Sequence, residues 1–105
     1  MKYNVIDLFS GAGGLLDGFM QSGKYHPLAS VEWEKAPIET LRHRLLTKYG
    51  IEDANESAIW FDMQRTDELF HGFDDEKFGK SRGLDYYALG KTDLIIGGPP
   101  CQAYS

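Results

Sequence analysis

Four short apolar runs alternate with stretches of helical periodicity, and that alternation leaves few folds open to this chain. Residues 3–9 (Tyr-Asn-Val-Ile-Asp-Leu-Phe), 28–33, 57–61 and 92–96 each have the length and apolar content of a strand buried in a parallel sheet. Between the first two lies a short helix over residues 15–21, ended by Ser22 and Gly23. Between the second and third lies a longer helix over residues 36–49. It places Ile38, Leu41, Leu45 and Tyr49 on one stripe, has Pro37 in its first turn and stops at Gly50. Residues 64–91 are harder to read: 67–70 suggest a short helix, and the Gly, Asp and Lys content of 72–83 suggests a surface excursion. Alternating strands and helices predict an α/β layer with a mostly parallel sheet, flanking helices and right-handed crossovers.

A chain of 105 residues holds one domain at most. No apolar stretch approaches the roughly 20 residues that cross a bilayer, and Asp7 interrupts the N-terminal run that a signal peptide would need. A single cysteine makes no internal disulfide, so a reducing, cytoplasmic setting without membrane partners is expected. His26, His43 and His71 are scattered without ligand spacing, which gives metal binding no support. The net charge of −5 gathers in the second half: residues 51–105 carry eleven acidic and five basic side chains, against five and six before them. Nothing here reads as a basic groove for phosphates, so any surface that grips nucleic acid is expected elsewhere.

Two segments carry chemistry. Asp7-Leu8-Phe9-Ser10-Gly11-Ala12-Gly13-Gly14-Leu15 follows the first strand and opens a helix. Glycines there let backbone approach a ligand, with amides of the helix N-terminus facing it. The dinucleotide fingerprint needs a third glycine where Leu16 stands, so a nucleoside bearing an amino acid fits better than a pyrophosphate. Glu32 ends the second strand 21 positions after Gly11, near the spacing at which an acid accepts bonds from ribose hydroxyls. Trp33 beside it offers a ring for adenine, and Asp62 after the third strand is placed to accept from the adenine amino group. The plainer alternative is a solvated Glu32 and a core Trp33.

The second segment is Gly98-Pro99-Pro100-Cys101-Gln102-Ala103-Tyr104-Ser105, directly after the fourth strand. A lone cysteine on a stiff Pro-Pro turn suits a nucleophile, although a buried structural thiol is the commoner fate of such a residue.

Taken in order, these segments resemble the cytosine-C5 DNA methyltransferases. Residues 7–14 look like that family's S-adenosylmethionine loop, Glu32 and Trp33 like its ribose and adenine contacts, and residues 98–105 like its catalytic Pro-Cys-Gln loop. Trp60-Phe61-Asp62 is a looser match to the segment ending in the adenine-binding Asp. The resemblance implies a partial Rossmann-like S-adenosylmethionine-dependent methyltransferase fold. It implies a cofactor site of Phe9, Ser10, Gly11, Gly13, Gly14, Glu32, Trp33, Asp62 and Pro99. It also implies Cys101 as the catalytic nucleophile, in a substrate loop with Pro100, Gln102 and Ser105. Carbon 5 of cytosine is a poor nucleophile; a thiolate adding to carbon 6 of a base turned out of the duplex makes it attack the sulfonium methyl.

Tyr104 stands where the family more often has Phe, and the Glu-Asn-Val segment, the Gln-x-Arg-x-Arg segment and the target recognition region have no counterpart. Residues 1–105 are therefore expected to be the N-terminal portion of a catalytic domain, inactive alone, from a bacterial or phage enzyme. Its partners would be double-stranded DNA, gripped by other regions, and a cognate restriction endonuclease. An RNA cytosine methyltransferase and a non-catalytic nucleoside-binding or regulatory module remain as alternatives. A nicotinamide-dependent oxidoreductase would leave Cys101 without a role.

Overall fold

The computed structural model describes residues 2–8 and 14–97. The first strand, β1 (Tyr3–Leu8), leads to helix α1 (Gly14–Gln21), strand β2 (Tyr25–Glu32) and helix α2 (Lys35–Thr47). A single helical turn α3 (Ala54–Ser57) runs straight into β3 (Ala58–Trp60). Helix α4 (Thr66–His71), the hairpin β4 (Phe73–Asp75) and β5 (Gly79–Ser81), helix α5 (Leu84–Ala88) and strand β6 (Leu94–Ile96) complete the order.

The main sheet runs β3-β2-β1-β6, and every neighbouring pair is parallel. This is the α/β architecture expected, the partial Rossmann-like arrangement with helices on both faces. Side chains alternate across it. Val5 of β1, Ala58 of β3 and Ile96 of β6 face α1 and α2, where Leu16, Ile38, Leu41 and Leu45 close one core. Ile6, Ala29, Val31 and Ile59 face the other way, against Leu69 of α4 and Leu84, Tyr87 and Ala88 of α5. The chain thus covers one face on the way out from β1 to β3, then crosses over the other face to reach β6.

The predicted stripe of α2 is the buried one: Ile38, Leu41 and Leu45 are all inside. Gly50 (φ 66°) ends the helix as expected, and Ile51 N–H donates back to the Leu45 carbonyl at 2.9 Å. Lys48 and Tyr49 both reach back to the Asp17 carboxylate and tie α1 to the end of α2. Those bonds hold the Asp17 carboxyl at about 2, below the usual carboxylate range.

Three expectations are corrected. β2 begins at Tyr25, three residues before the apolar run that announced it. Pro27 is tolerated because β3 pairs only with Ser30–Glu32, leaving β2 a single neighbour there, and the β1–β2 register slips between Val5 and Ile6 to pass over Leu28. Ser57 closes the α3 turn instead of opening β3. Residues 72–83 are more than a surface excursion: they form the β4–β5 hairpin, and Phe73 and Phe78 turn inward onto Phe61. The Phe61 and Phe73 rings stack with centroids 3.8 Å apart. The neck closes where Gly83 (φ 89°) lies against Gly72; a Cβ on Gly83 would come within 2.3 Å of the Gly72 nitrogen. Asp75 holds the turn by accepting from Lys77 and Phe78 N–H at 3.0 and 3.1 Å, and Arg65 bridges it at 2.8 Å.

Candidate functional site

The carboxyl ends of β3, β2, β1 and β6 lie side by side in that order, so the segments that follow them form one rim. Asp62 follows β3, Glu32 ends β2 with Trp33 after it, Leu8 ends β1 and Gly97 follows β6, in that order across the sheet. β1 is also where the strand order reverses direction. In open α/β sheets the crevice outside the strand ends at such a switch is where ligands bind.

Gly97 fixes the spacing of that crevice. A Cβ at this position would sit 2.3 Å from the Leu8 carbonyl oxygen, closer than such atoms ever approach. Only glycine lets the chain leaving β6 pass so near the end of β1. The residue takes no part in the motif readings above; the one signal that could have found it is the Gly97-Gly98 pair closing an apolar run.

Three polar side chains share the face of this rim that looks toward α1 and α2. Asp7 on β1 lies opposite Ser30 on β2, and Glu32 follows Ser30 on the same face. Asp7 is 1% exposed, and neither of its carboxylate oxygens has a hydrogen-bond partner among the described residues; nor has Ser30 Oγ. Burial, with the Glu32 carboxylate adding to it, pushes the Asp7 carboxyl up to about 7. Buried polar atoms are almost always satisfied, so this carboxylate and hydroxyl call for partners from outside the described residues. From sequence alone Asp7 had no role in the site beyond opening the glycine segment. Its signal was an acid inside an otherwise apolar strand.

Glu32 is 6% exposed, and its Oε2 accepts from the Glu34 N–H at 2.6 Å, which turns the chain sharply after β2. The plainer alternative of a solvated Glu32 therefore fails, and so does that of a core Trp33, which is 48% exposed on that turn. Trp60, opposite Glu32 on β3, donates from Nε1 to the Trp33 carbonyl at 2.7 Å and pins the turn in place. Asp62 is partly exposed; its Oδ1 accepts from the Gln64 N–H at 2.9 Å in a local turn. Gly14 is exposed at the start of α1. Phe9, Ser10, Gly11 and Gly13 lie outside the described residues, as do Pro99, Pro100, Cys101, Gln102 and Ser105. Among the described residues no three His, Cys, Asp or Glu side chains are grouped to hold a metal ion. No helix among them is long and apolar enough to cross a membrane.

A family model described as C-5 cytosine-specific DNA methylase matches residues 3–105. Among curated proteins, the chain is 34% identical over 105 residues to the type II methyltransferase M1.HphI of Haemophilus parahaemolyticus, covering all of this chain and 23% of that one. It is 29% identical over 140 residues to the type II methyltransferase M.Bpa9945I of Bacillus paralicheniformis, covering 96% of this chain and 31% of that one. It is 30% identical over 106 residues to DNA (cytosine-5)-methyltransferase 1 of Gallus gallus, covering 99% of this chain and 6% of that one. The chain thus spans less than a third of these relatives. With a parallel four-stranded α/β sheet, and with a family match running almost end to end, the chain belongs to the C-5 cytosine-specific DNA methylase family.

Proposed function

We propose that the chain is the N-terminal portion of the catalytic domain of a DNA (cytosine-5)-methyltransferase, with S-adenosylmethionine as methyl donor. The observation that carries this reading is the close passage of Gly97 past Leu8 at the strand-order switch. It starts the glycine-rich segment and the Cys101 segment from adjacent strand ends, as a reaction joining a bound donor to a thiol-activated base requires. The donor set supports the cofactor. Glu32 and Asp62 are acceptors suited to ribose hydroxyls and an adenine amino group, and exposed Trp33 offers a ring face. Asp7 and Ser30, unpartnered among the described residues, suit a ligand that brings donors or positive charge. Phe9, Ser10, Gly11, Gly13, Gly14 and Pro99 complete that site in this reading.

S-adenosylmethionine, when bound, supplies an electrophilic methyl group and leaves as S-adenosylhomocysteine. Cys101 forms a bond from its thiolate sulfur to carbon 6 of cytosine, which makes carbon 5 electron-rich; loss of the carbon-5 proton later expels the thiolate. Pro100, Gln102 and Ser105 shape the loop that presents the sulfur. The names of the bacterial relatives support a type II methyltransferase, working in the cytoplasm on double-stranded DNA beside a restriction endonuclease. With a net charge of −5, the chain leaves the grip on DNA to other regions of the protein.

The test uses the full-length protein, labelled S-adenosylmethionine and unmethylated plasmid DNA. Wild-type protein is expected to label cytosine; Cys101→Ser is expected to label none while binding the cofactor as before. Turnover by the serine variant would remove Cys101 from the mechanism. Label entering transfer RNA but not DNA would select the RNA enzyme, and cofactor binding without transfer to either would select a non-catalytic module.

A further inference from the structure

A cavity of about 510 Å³ opens beside the free edge of β3, away from Glu32, Trp33 and Asp62. It lies between α2 and α3 on one side and the β4–β5 hairpin on the other. Three cations reach it: Arg42 from α2, and Lys80 and Arg82 from the far strand of the hairpin and its exit. Among the described residues the one carboxylate in its lining is Glu56. On a chain of net charge −5, this is a local reversal of sign.

Two of these cations are tethered by neighbouring groups, Arg42 to the sheet edge and Arg82 to Tyr86. Arg42 Nε and Nη2 donate to the Ala58 carbonyl at 2.9 and 2.7 Å, which fixes the guanidinium along the sheet edge. Desolvation lowers its affinity for its proton, with Glu39 the carboxylate that partly offsets this, so an added anion would be favoured there. Arg82 lies over the Tyr86 ring at 4.6 Å and donates to its hydroxyl. The wall between them is aromatic: Trp60 and Phe78 meet edge to face with centroids 4.8 Å apart.

An extended peptide pairing along β3 is disfavoured, because Arg42 already occupies the Ala58 carbonyl on that edge. Guanidinium and ammonium groups beside aromatic rings suit a phosphate joined to a base: the cations bond the phosphate oxygens and the base lies against the rings. The volume falls within the range of small-ligand pockets. We propose that this cavity binds a free mononucleotide, with its phosphate among Arg42, Lys80 and Arg82 and its base against Trp60 and Phe78. It is a second nucleotide site, distinct from the cofactor crevice but joined to it through the bond from Trp60 Nε1 to the Trp33 carbonyl.

The test is calorimetric titration of the full-length protein with GMP, with and without saturating S-adenosylhomocysteine. One GMP is expected to bind whether or not that compound is present. Guanosine, lacking the phosphate, is expected to bind about tenfold more weakly or worse. The double variant Lys80→Glu/Arg82→Glu, changed at two exposed positions, is expected to lose about tenfold or more in GMP affinity while binding S-adenosylhomocysteine normally. No saturable GMP binding at millimolar nucleotide would overturn the proposal. So would equal affinity for guanosine, displacement by S-adenosylhomocysteine, unchanged affinity in the double variant, or binding of a single-stranded oligonucleotide in place of GMP. Because S-adenosylhomocysteine is titrated in the same series, failure of this site is separable from failure of the cofactor reading.

Discussion

Replacing Asp7 by Asn removes a buried charge with almost no change of shape, and the structure sets both the size and the pH window of the effect. The carboxyl rises from 3.8 to about 7 because burial and Glu32 both oppose its ionisation. Between those values the unfolded chain has lost the Asp7 proton while the folded chain keeps it. The unfolded state binds fewer protons, so stability falls as pH rises, by about 1.4 kcal/mol per pH unit from this group. Above about 7 both states are ionised and the loss stops growing, at about 4 kcal/mol as an upper bound. Asp7→Asn lacks this slope. Without cofactor, its melting temperature relative to wild type should climb between pH 5 and pH 7 and level off beyond. Over those two pH units the difference approaches about 3 kcal/mol, or about 5–10 °C for a domain of about 150–250 residues. Thermal unfolding of both full-length proteins across pH 5 to 8.5 measures it directly. Melting curves whose separation stays constant over that range would refute the reasoning, because they would mean that Asp7 ionises as freely in the folded protein as in the unfolded one.

Gly97→Ala places a methyl group 2.3 Å from the Leu8 carbonyl oxygen, so the ends of β1 and β6 must part. It should reduce methyl transfer far more than it reduces cofactor affinity, and a variant with wild-type turnover would separate the Gly97 contact from the chemistry. Phe61→Ala removes a fully buried ring stacked on Phe73 and crossed by Phe78, and should destabilise the protein by about 3–5 kcal/mol. Denaturant titration checks this, and a loss below about 1 kcal/mol would mean that the hairpin is not part of the core.

The physical difference between local and long-range information decides what could be read in advance. α1 and α2 were legible from helical periodicity over their own length, and β1 and β6 because each lies in a short apolar run that ends near glycines. Gly50 was legible as a stop for the same local reason: a left-handed turn after a helix favours glycine. The proposed nucleoside site and nucleophile rest on the residue types and order of the glycine segment, Glu32 and the Cys101 segment. The hairpin was not legible, because three-residue strands carry almost no periodic signal and a Gly- and Asp-rich stretch reads as loop. What draws it inward is Phe73 and Phe78 finding Phe61, a contact that no repeat along the chain specifies. Pro27 hid the start of β2 because its cost depends on whether a neighbour strand needs its N–H, which pairing alone determines.

The sequence by itself determined the class of fold, the family and the order in which the functional segments meet the chain, since all three reside in local pattern and residue identity. Only the tertiary structure decided that β6 lies beside β1, that Gly97 must pass the Leu8 carbonyl, and that Asp7 and Ser30 are buried without hydrogen-bond partners among the described residues. It alone gathered Arg42, Lys80 and Arg82 from separate elements around one cavity in an acidic chain. Burial, close approach and electrostatic field depend on distances through space, and those are set when the sheet orders its strands.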